Sequence, residues 1–328
     1  RGLPDVAAGV LHHRFPPGRR RGSDQPARVR FTGDEDFGLW CTTTGDDKSV
    51  AMSANYPDFE TIRAALTLAT RAPSVHNWQP WRWRVGPDRL HLYADPSRHL
   101  PSTDPNRRGM LVSCGTTLHH CTVALAAMGW HTRVARLPDP ADIDHLAAIT
   151  VIRQPPGELD VMLAAAIDRR RTDRRNYSSR PVPWGDIALM GARAARAGVM
   201  LRQVAGPALH EPPQSLPGGD DAIMVALGTE ADDDLARLRA GEAASLVLLS
   251  ATAMGLASCP VNGPLEIPLT REAMRADVFG TSGYPQMLLS VGWAPVSADP
   301  LPAAPRRPLS EVVDWPLDGM FTGAEVIA

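Results

Sequence analysis

Apolar residues recur at helical spacing over Phe59, Ile62, Ala65, Leu66 and Ala69, with Pro57 just ahead, and predict an amphipathic helix. It ends near Arg71, because Pro73 disfavours helical backbone at Ala72. Beyond it, Trp81, Trp83 and Val85 alternate with Arg82 and Arg84. Gly86-Pro87-Asp88 turns the chain, and Leu90 and Leu92 alternate back, which predicts a hairpin. Two later stretches, 115–129 and 241–255, are apolar on nearly all sides. Each runs from a glycine to a Met-Gly pair, so both read as buried core helices. Strand-like pieces follow each of them, at 130–135 and 257–261, with further strands at 146–152, 223–227 and 286–293. The pattern predicts an α+β fold of two related halves, 52–153 and 154–328, packed through matched central helices as a pseudo-dimer within one chain.

Composition narrows the function classes. The 328 residues carry a net charge of −2, with 44% apolar and 21% charged residues, which excludes disordered, fibrous and broadly nucleic-acid-binding chains. The 31 prolines, close to twice the usual share of ~5%, imply many turns. Residues 1–51 show no helical or alternating period, and the first methionine is Met52. This segment reads as a disordered extension outside the fold or as read-through upstream of a start there. Arg19, Arg20 and Arg21 are followed by no apolar segment and read as a solvated patch. The most apolar stretch, 243–257, contains Ser245, Ser250 and Thr252 and falls short of the ~20 residues of a membrane span. Four cysteines without a C-x-x-C pair point to a reducing cytoplasm. Cys114 and Cys121 share a helix face with Leu118, Leu125 and Met128 while His120 points elsewhere, so a packed face is expected and no metal site. Dinucleotide, P-loop, nucleophile-elbow and zinc-protease signatures are absent from the sequence.

The remaining chemistry is concentrated in arginine. Arg169, Arg170, Arg171, Arg174 and Arg175 crowd the end of a helix, with Thr172 among them. Such a run is either a solvated basic turn or a cradle for a phosphate. Arg306-Arg307-Pro308 is a second basic cluster able to close the same cradle.

Pro73-Ser74-x-x-Asn77-x-Gln79-Pro80-Trp81, Arg170-Arg171-Thr172-x-Arg174, Ala253-Met254-Gly255-Leu256, the run from Tyr284 to Gly292 and Pro305-Arg306-Arg307-Pro308 together resemble the nitroreductase family. The closest likeness is to its actinobacterial, dormancy-associated Acg-type branch, and it extends over residues 52–315. The resemblance implies FMN held where two subunits meet. An Arg-Arg-Thr-x-Arg turn (Arg170, Arg171, Thr172, Arg174) and a C-terminal basic pair (Arg306, Arg307) would hold the flavin phosphate. The Pro73, Ser74 and Asn77 segment would meet the ring and ribityl chain, with Asn77 at the ring edge. Because the first half lacks the arginine turn and the second lacks an Asn-x-Gln-Pro-Trp segment, one composite site is expected where a true dimer has two.

The implied activity is an NAD(P)H oxidoreductase of nitroreductase type. FMN N5 takes a hydride from NAD(P)H as co-substrate and passes it to a nitroaromatic or quinone-like small-molecule acceptor, with no side chain as general acid or base. The alternatives are a catalytically silent, stress-associated flavin-binding protein on the same fold, or a degenerate family member. A monomeric pseudo-dimer is expected, with neither nucleic-acid nor membrane partners. Two features depart from the family. Residues 205–222 read as a shortened connector where the family has helices. Trp78 is large enough to pack over the ring or intrude on its space.

Overall fold

A computed structural model describes residues 56–204 and 222–316. The expectations for residues 1–51 and for the connector at 205–221 lie outside the described residues.

The first half begins with α1 (Phe59–Ala69), where Asp58 caps the helix by accepting from the Thr61 amide at 2.8 Å. Its apolar stripe of Ile62, Ala65, Leu66 and Ala69 is buried, as the spacing predicts. The hairpin of β1 (Trp81–Val85) and β2 (Leu90–Ala94) turns Trp81, Trp83 and Val85 inward and leaves Arg82 and Arg84 exposed. Helix α2 (Arg108–Ala127) comes next, then β3 (Trp130–Arg136) and β4 (His145–Arg153). The second half contains α3 (Glu158–Ile167), α4 (Trp184–Arg196), β5 (Met200–Gln203), β6 (Ile223–Thr229) and α5 (Asp234–Ala253). It continues through β7 (Ala257–Val261), α6 (Gly263–Glu266), α7 (Pro268–Met274) and β8 (Tyr284–Gly292) to α8 (Leu309–Val312) and β9 (Val313–Asp314). Two sheets result, ordered β3-β4-β2-β1-β9 and β5-β6-β8-β7.

The central helices α2 and α5 begin at Arg108 and Asp234, the same distance ahead of Gly115 and Gly241, and cross at those glycines. A Cβ on Gly115 would lie 2.1 Å from the Leu238 carbonyl oxygen, and one on Gly241 would lie 2.0 Å from that of Val112. No side chain fits there, so the glycines set how closely the two halves approach. Beside the crossing, His119 and His120 of α2 reach the Ser245 hydroxyl of α5 at 2.7 and 2.8 Å. Helix α3 packs into the angle between them, its Leu163, Ala166 and Ile167 clustered with Val123 and Leu249. Cys114 and Cys121 are buried in the helix face, and no metal-ligand cluster occurs among the described residues. Of the described helices, α2 alone is long and apolar enough to cross a membrane by composition, and most of it is buried inside the protein.

The C-terminal end of the chain crosses back to the first sheet. The pattern assigns all of 154–328 to the second half, yet β9 adds parallel to β1, with Trp83 opposite Val313. Val312 and Val313 are buried in the cluster that holds Trp81 and Trp83, and Arg82 grips Asp314 at 2.7 and 2.8 Å. A strand of two residues carries too little period to be read from sequence, and its burial comes entirely from the other half.

Candidate functional site

The arginine turn comes directly after α3. It is laid against the second sheet by a parallel bridge between Thr172 and Ser258 and by the Asp173 amide donating to the Ser258 carbonyl at 3.0 Å. This docking divides the five arginines. Arg175 turns back to pair with Asp173 at 2.7 Å, and Arg169 donates to the Ala165 carbonyl at 3.1 Å. Arg170, Arg171 and Arg174 line a cavity of about 310 Å³ together with Thr172. Arg306 closes it from the C-terminal arm, and Arg71 enters from the end of α1.

No carboxylate is among the residues lining this cavity, although Arg71 pairs with Asp168 at 2.7 Å. Arg170 is 5% exposed, and burial, then the positive charges of Arg306 and Arg171, push its pKa down to about 10. Arg306 falls to about 10 as well, through burial and then the charges of Arg71 and Arg171. Both remain cationic at neutral pH. The Nε atoms of Arg170 and Arg306 and the Ser258 hydroxyl are buried without a hydrogen-bond partner. Unpaired buried donors in a nest of like charge are costly, and a dianion bearing several acceptor oxygens supplies what they lack. The residues present therefore fit a phosphorylated ligand.

Residues 73–79 do not line this cavity; they buttress it. Thr116 Oγ1 donates to the Pro73 carbonyl at 2.6 Å, and the Ser74 hydroxyl accepts from the Gln79 amide at 2.9 Å. His76, Asn77 and Gln79 all take positive φ, at 48°, 57° and 52°. Strain this dense in non-glycine residues persists only where surrounding contacts impose it. Here the contacts come from the C-terminal arm. Asn77 Nδ2 donates to the Pro305 carbonyl at 3.1 Å, and its Oδ1 accepts from Arg306 at 2.9 Å. Arg306 also donates to the Arg71 carbonyl at 2.9 Å. Asn77, expected at a flavin ring edge, has both ends of its amide bonded to the arm.

Arg307 is likewise outside the cavity. Its amide donates to Gln79 Oε1 at 2.9 Å, and its guanidinium pairs with Asp95 and Glu311 at 3.4 and 3.2 Å. Two carboxylates pair with it, so it locks the arm. Arg71 is the residue that sequence reasoning misses. Its signal is slight, a single arginine ending α1 just before the Pro73 turn. Trp78 and Val75 line a separate cavity of about 80 Å³ with Arg108, Glu266 and Gln286, and His76 meets Glu266 at 3.4 Å. The turn thus contributes to both places.

The α+β chain of two related halves carries an arginine cradle assembled from the second half and the C-terminal arm against a strained turn of the first, an arrangement whose charge fits a phosphorylated ligand. The chain belongs to the nitroreductase family. Residues 213–293 match the model described as Nitroreductase family. The chain is 53% identical over 325 residues to Rv3131 of Mycobacterium tuberculosis H37Rv, a protein assigned by name to the NAD(P)H nitroreductases, with 81% of this chain and 94% of that protein covered. It is 31% identical over 320 residues to Acg of the same organism, assigned by name to the same group, covering 77% and 95%. A solved nitroreductase with bound FMN from Bacteroides fragilis matches 44% of this chain and 94% of its own, at 16% identity and a TM-score of 0.36.

Proposed function

We propose that this chain is an FMN-dependent NAD(P)H oxidoreductase of nitroreductase type, a pseudo-dimer with one flavin site. The observation that supports the reading most is the cradle, where Arg170 and Arg306 carry unpartnered buried Nε donors and neither is paired with a carboxylate, while Arg71 beside them is already paired with Asp168 at 2.7 Å. Arg170, Arg174, Arg306 and Arg71 would hold the FMN phosphate, with Arg171 and Thr172 shaping the turn. Arg171 is fixed for this by its bonds to the Leu301 and Asp168 carbonyls at 3.1 and 2.7 Å. Asn77 positions Arg306, and Arg307 anchors the arm that carries it. The cofactor, when bound, supplies hydride transfer from NAD(P)H to a nitroaromatic or quinone-like acceptor. The protein contributes binding, orientation and charge, and no residue is assigned as general acid or base.

A second reading, flavin binding without turnover, is favoured by one feature. The cavity beside Trp78 is about 80 Å³, well under the ~300 Å³ at which small-molecule sites usually begin.

Purified protein separates the readings. A yellow preparation that NADPH bleaches without oxygen supports the enzyme, whereas yellow protein that stays yellow supports the silent binder. Protein that remains colourless after added FMN overturns both. Arg170→Ala combined with Arg174→Ala removes charge-assisted bonds worth ~1.5–3 kcal/mol each. FMN affinity is expected to fall by about a hundredfold or more, and an unchanged affinity would refute the cradle.

A further inference from the structure

With a one-residue shift from the match that pairs Gly115 with Gly241, the ends of α1 and α4 also correspond. Ala69-Thr70-Arg71-Ala72 in the first half corresponds to Ala194-Ala195-Arg196-Ala197 in the second. Past these segments the two halves diverge. After Ala72 the chain makes its strained turn, held on α2 by the Val75 amide donating to Ser113 Oγ at 3.1 Å and by Thr116 binding Pro73. After Ala197 it passes through Gly198 at φ +74° and enters β5 directly. The α5 counterparts of Ser113 and Thr116 are Arg239 and Glu242. With no turn to grip, they line an open cavity of about 620 Å³. Its opposite wall is β3, through Thr132, Val134 and Arg136, and Thr132 is the counterpart of Ser258 beside the cradle.

The cavity therefore stands where the internal repeat would put a second ligand site, but its walls are different. Arg136 is neutralised by Glu242 through two bonds of 2.7 and 2.8 Å. Arg196 and Arg239 are exposed in its mouth, with no hydrogen bond or ion pair among the described residues. Val134 and Leu246 give it an apolar wall. His119 at its edge has its pKa lowered to about 4 by burial, so it adds no charge at neutral pH. Two uncommitted guanidinium groups beside an apolar wall select an anion on an apolar body. The arginine turn that would grip a flavin phosphate has no counterpart in the first half.

We propose that this second cavity binds a small organic anion, its acidic group held by Arg196 and Arg239 and its apolar body against Val134 and Leu246. The inference does not depend on flavin binding in the cradle.

Benzoate, with neutral benzamide as the charge control, tests it by calorimetric titration of the full chain. Benzoate is expected to bind saturably and benzamide not. Arg196→Gln with Arg239→Gln is expected to weaken benzoate by about tenfold or more while FMN retention and melting temperature stay as in the parent. Arg170→Ala with Arg174→Ala is expected to leave benzoate affinity unchanged. No saturable benzoate binding, equal binding of benzamide, or loss of benzoate in the cradle variant rather than the Arg196 and Arg239 variant would each overturn the proposal.

Discussion

Two clusters of buried arginine in this molecule are treated in opposite ways. At the start of α5, Arg108 and Arg237 converge on Asp232. Arg108 contacts that carboxylate directly and also donates to Gln286 Oε1 and the Pro285 carbonyl at 3.0 and 2.9 Å. Arg237 reaches Asp232 at 3.3 Å and Asp234 at 3.1 Å. In the cradle, Arg170 faces Arg306, Arg171 and Arg71 instead. Burial is the largest influence on both Arg108 and Arg170, and it lowers the pKa of each. The next influence on Arg108 is an opposing carboxylate, whereas on Arg170 it is another cation. Arg108, partly buried, is closed into a structural tie, whereas Arg170, more deeply buried, is left among like charges. The sign of the neighbours makes the difference.

The largest effect is expected where the tie is broken. Burial works against ionisation of Asp232, yet Arg108, then Gln286 and Arg237, hold its carboxyl below the usual range. Asp232→Ala leaves two partly buried guanidinium groups without their carboxylate and should cost about 2–4 kcal/mol, read as a lower urea midpoint with unchanged slope. An unchanged midpoint would dissolve the contrast between the clusters.

Acid provides the next test, because the clusters differ in what titrates. In the Asp232 cluster stability is fully present above the ordinary carboxylate pKa and is lost only as the pH falls through the lower folded value. Near the cradle the relevant group is His120, whose pKa is driven down by burial and then by Arg170 and His119. Its neighbour His119 is lowered to about 4 by burial. The unfolded chain binds these protons at ~6.5, so it holds more of them between pH 6.5 and 4, and stability falls as the pH drops through that window. His119 alone should account for about 1–2 kcal/mol between pH 7 and 5. Comparing unfolding of the parent and His119→Gln at the two pH values checks this; parallel losses in both proteins would remove His119 as the source.

Much of this is legible in the sequence, and particular residues show why the remainder is not. The Gly115 and Gly241 repeat locates the helix crossing because glycine is informative wherever backbones approach. Alternation gives the hairpin, and the crowd of charge at 169–175 marks the cradle's main turn, though not which of its arginines face inward. That sorting depends on Asp173, which captures Arg175, and on docking to Ser258, neither of which is a periodic signal. Asn77 and Arg307 read toward the flavin in the sequence because motif residues look equivalent in one dimension. In three, the arm crosses back and claims both, Asn77 through Pro305 and Arg306, Arg307 through Asp95 and Gln79. Arg71 escapes notice because a lone arginine at a helix end is common, and only convergence with remote residues gives it a role.

The smallest expected effect distinguishes the clusters most sharply, because its sign should be opposite to that of the first. Arg170→Met in protein stripped of ligand removes a buried cation with an unpartnered Nε that is repelled by three others. It substitutes an apolar chain of similar length beside Ile167. Where a buried charge is uncompensated, such a replacement is neutral to stabilising, here by about 1 kcal/mol. The same substitution should weaken FMN binding, so stability without ligand and affinity for it should move in opposite directions. Thermal or urea unfolding of the stripped protein, paired with FMN titration, measures both. If Arg170→Met instead costs stability on the scale of Asp232→Ala, Arg170 is a structural tie like Arg108, and the cradle's unpaired charge is not held for a ligand.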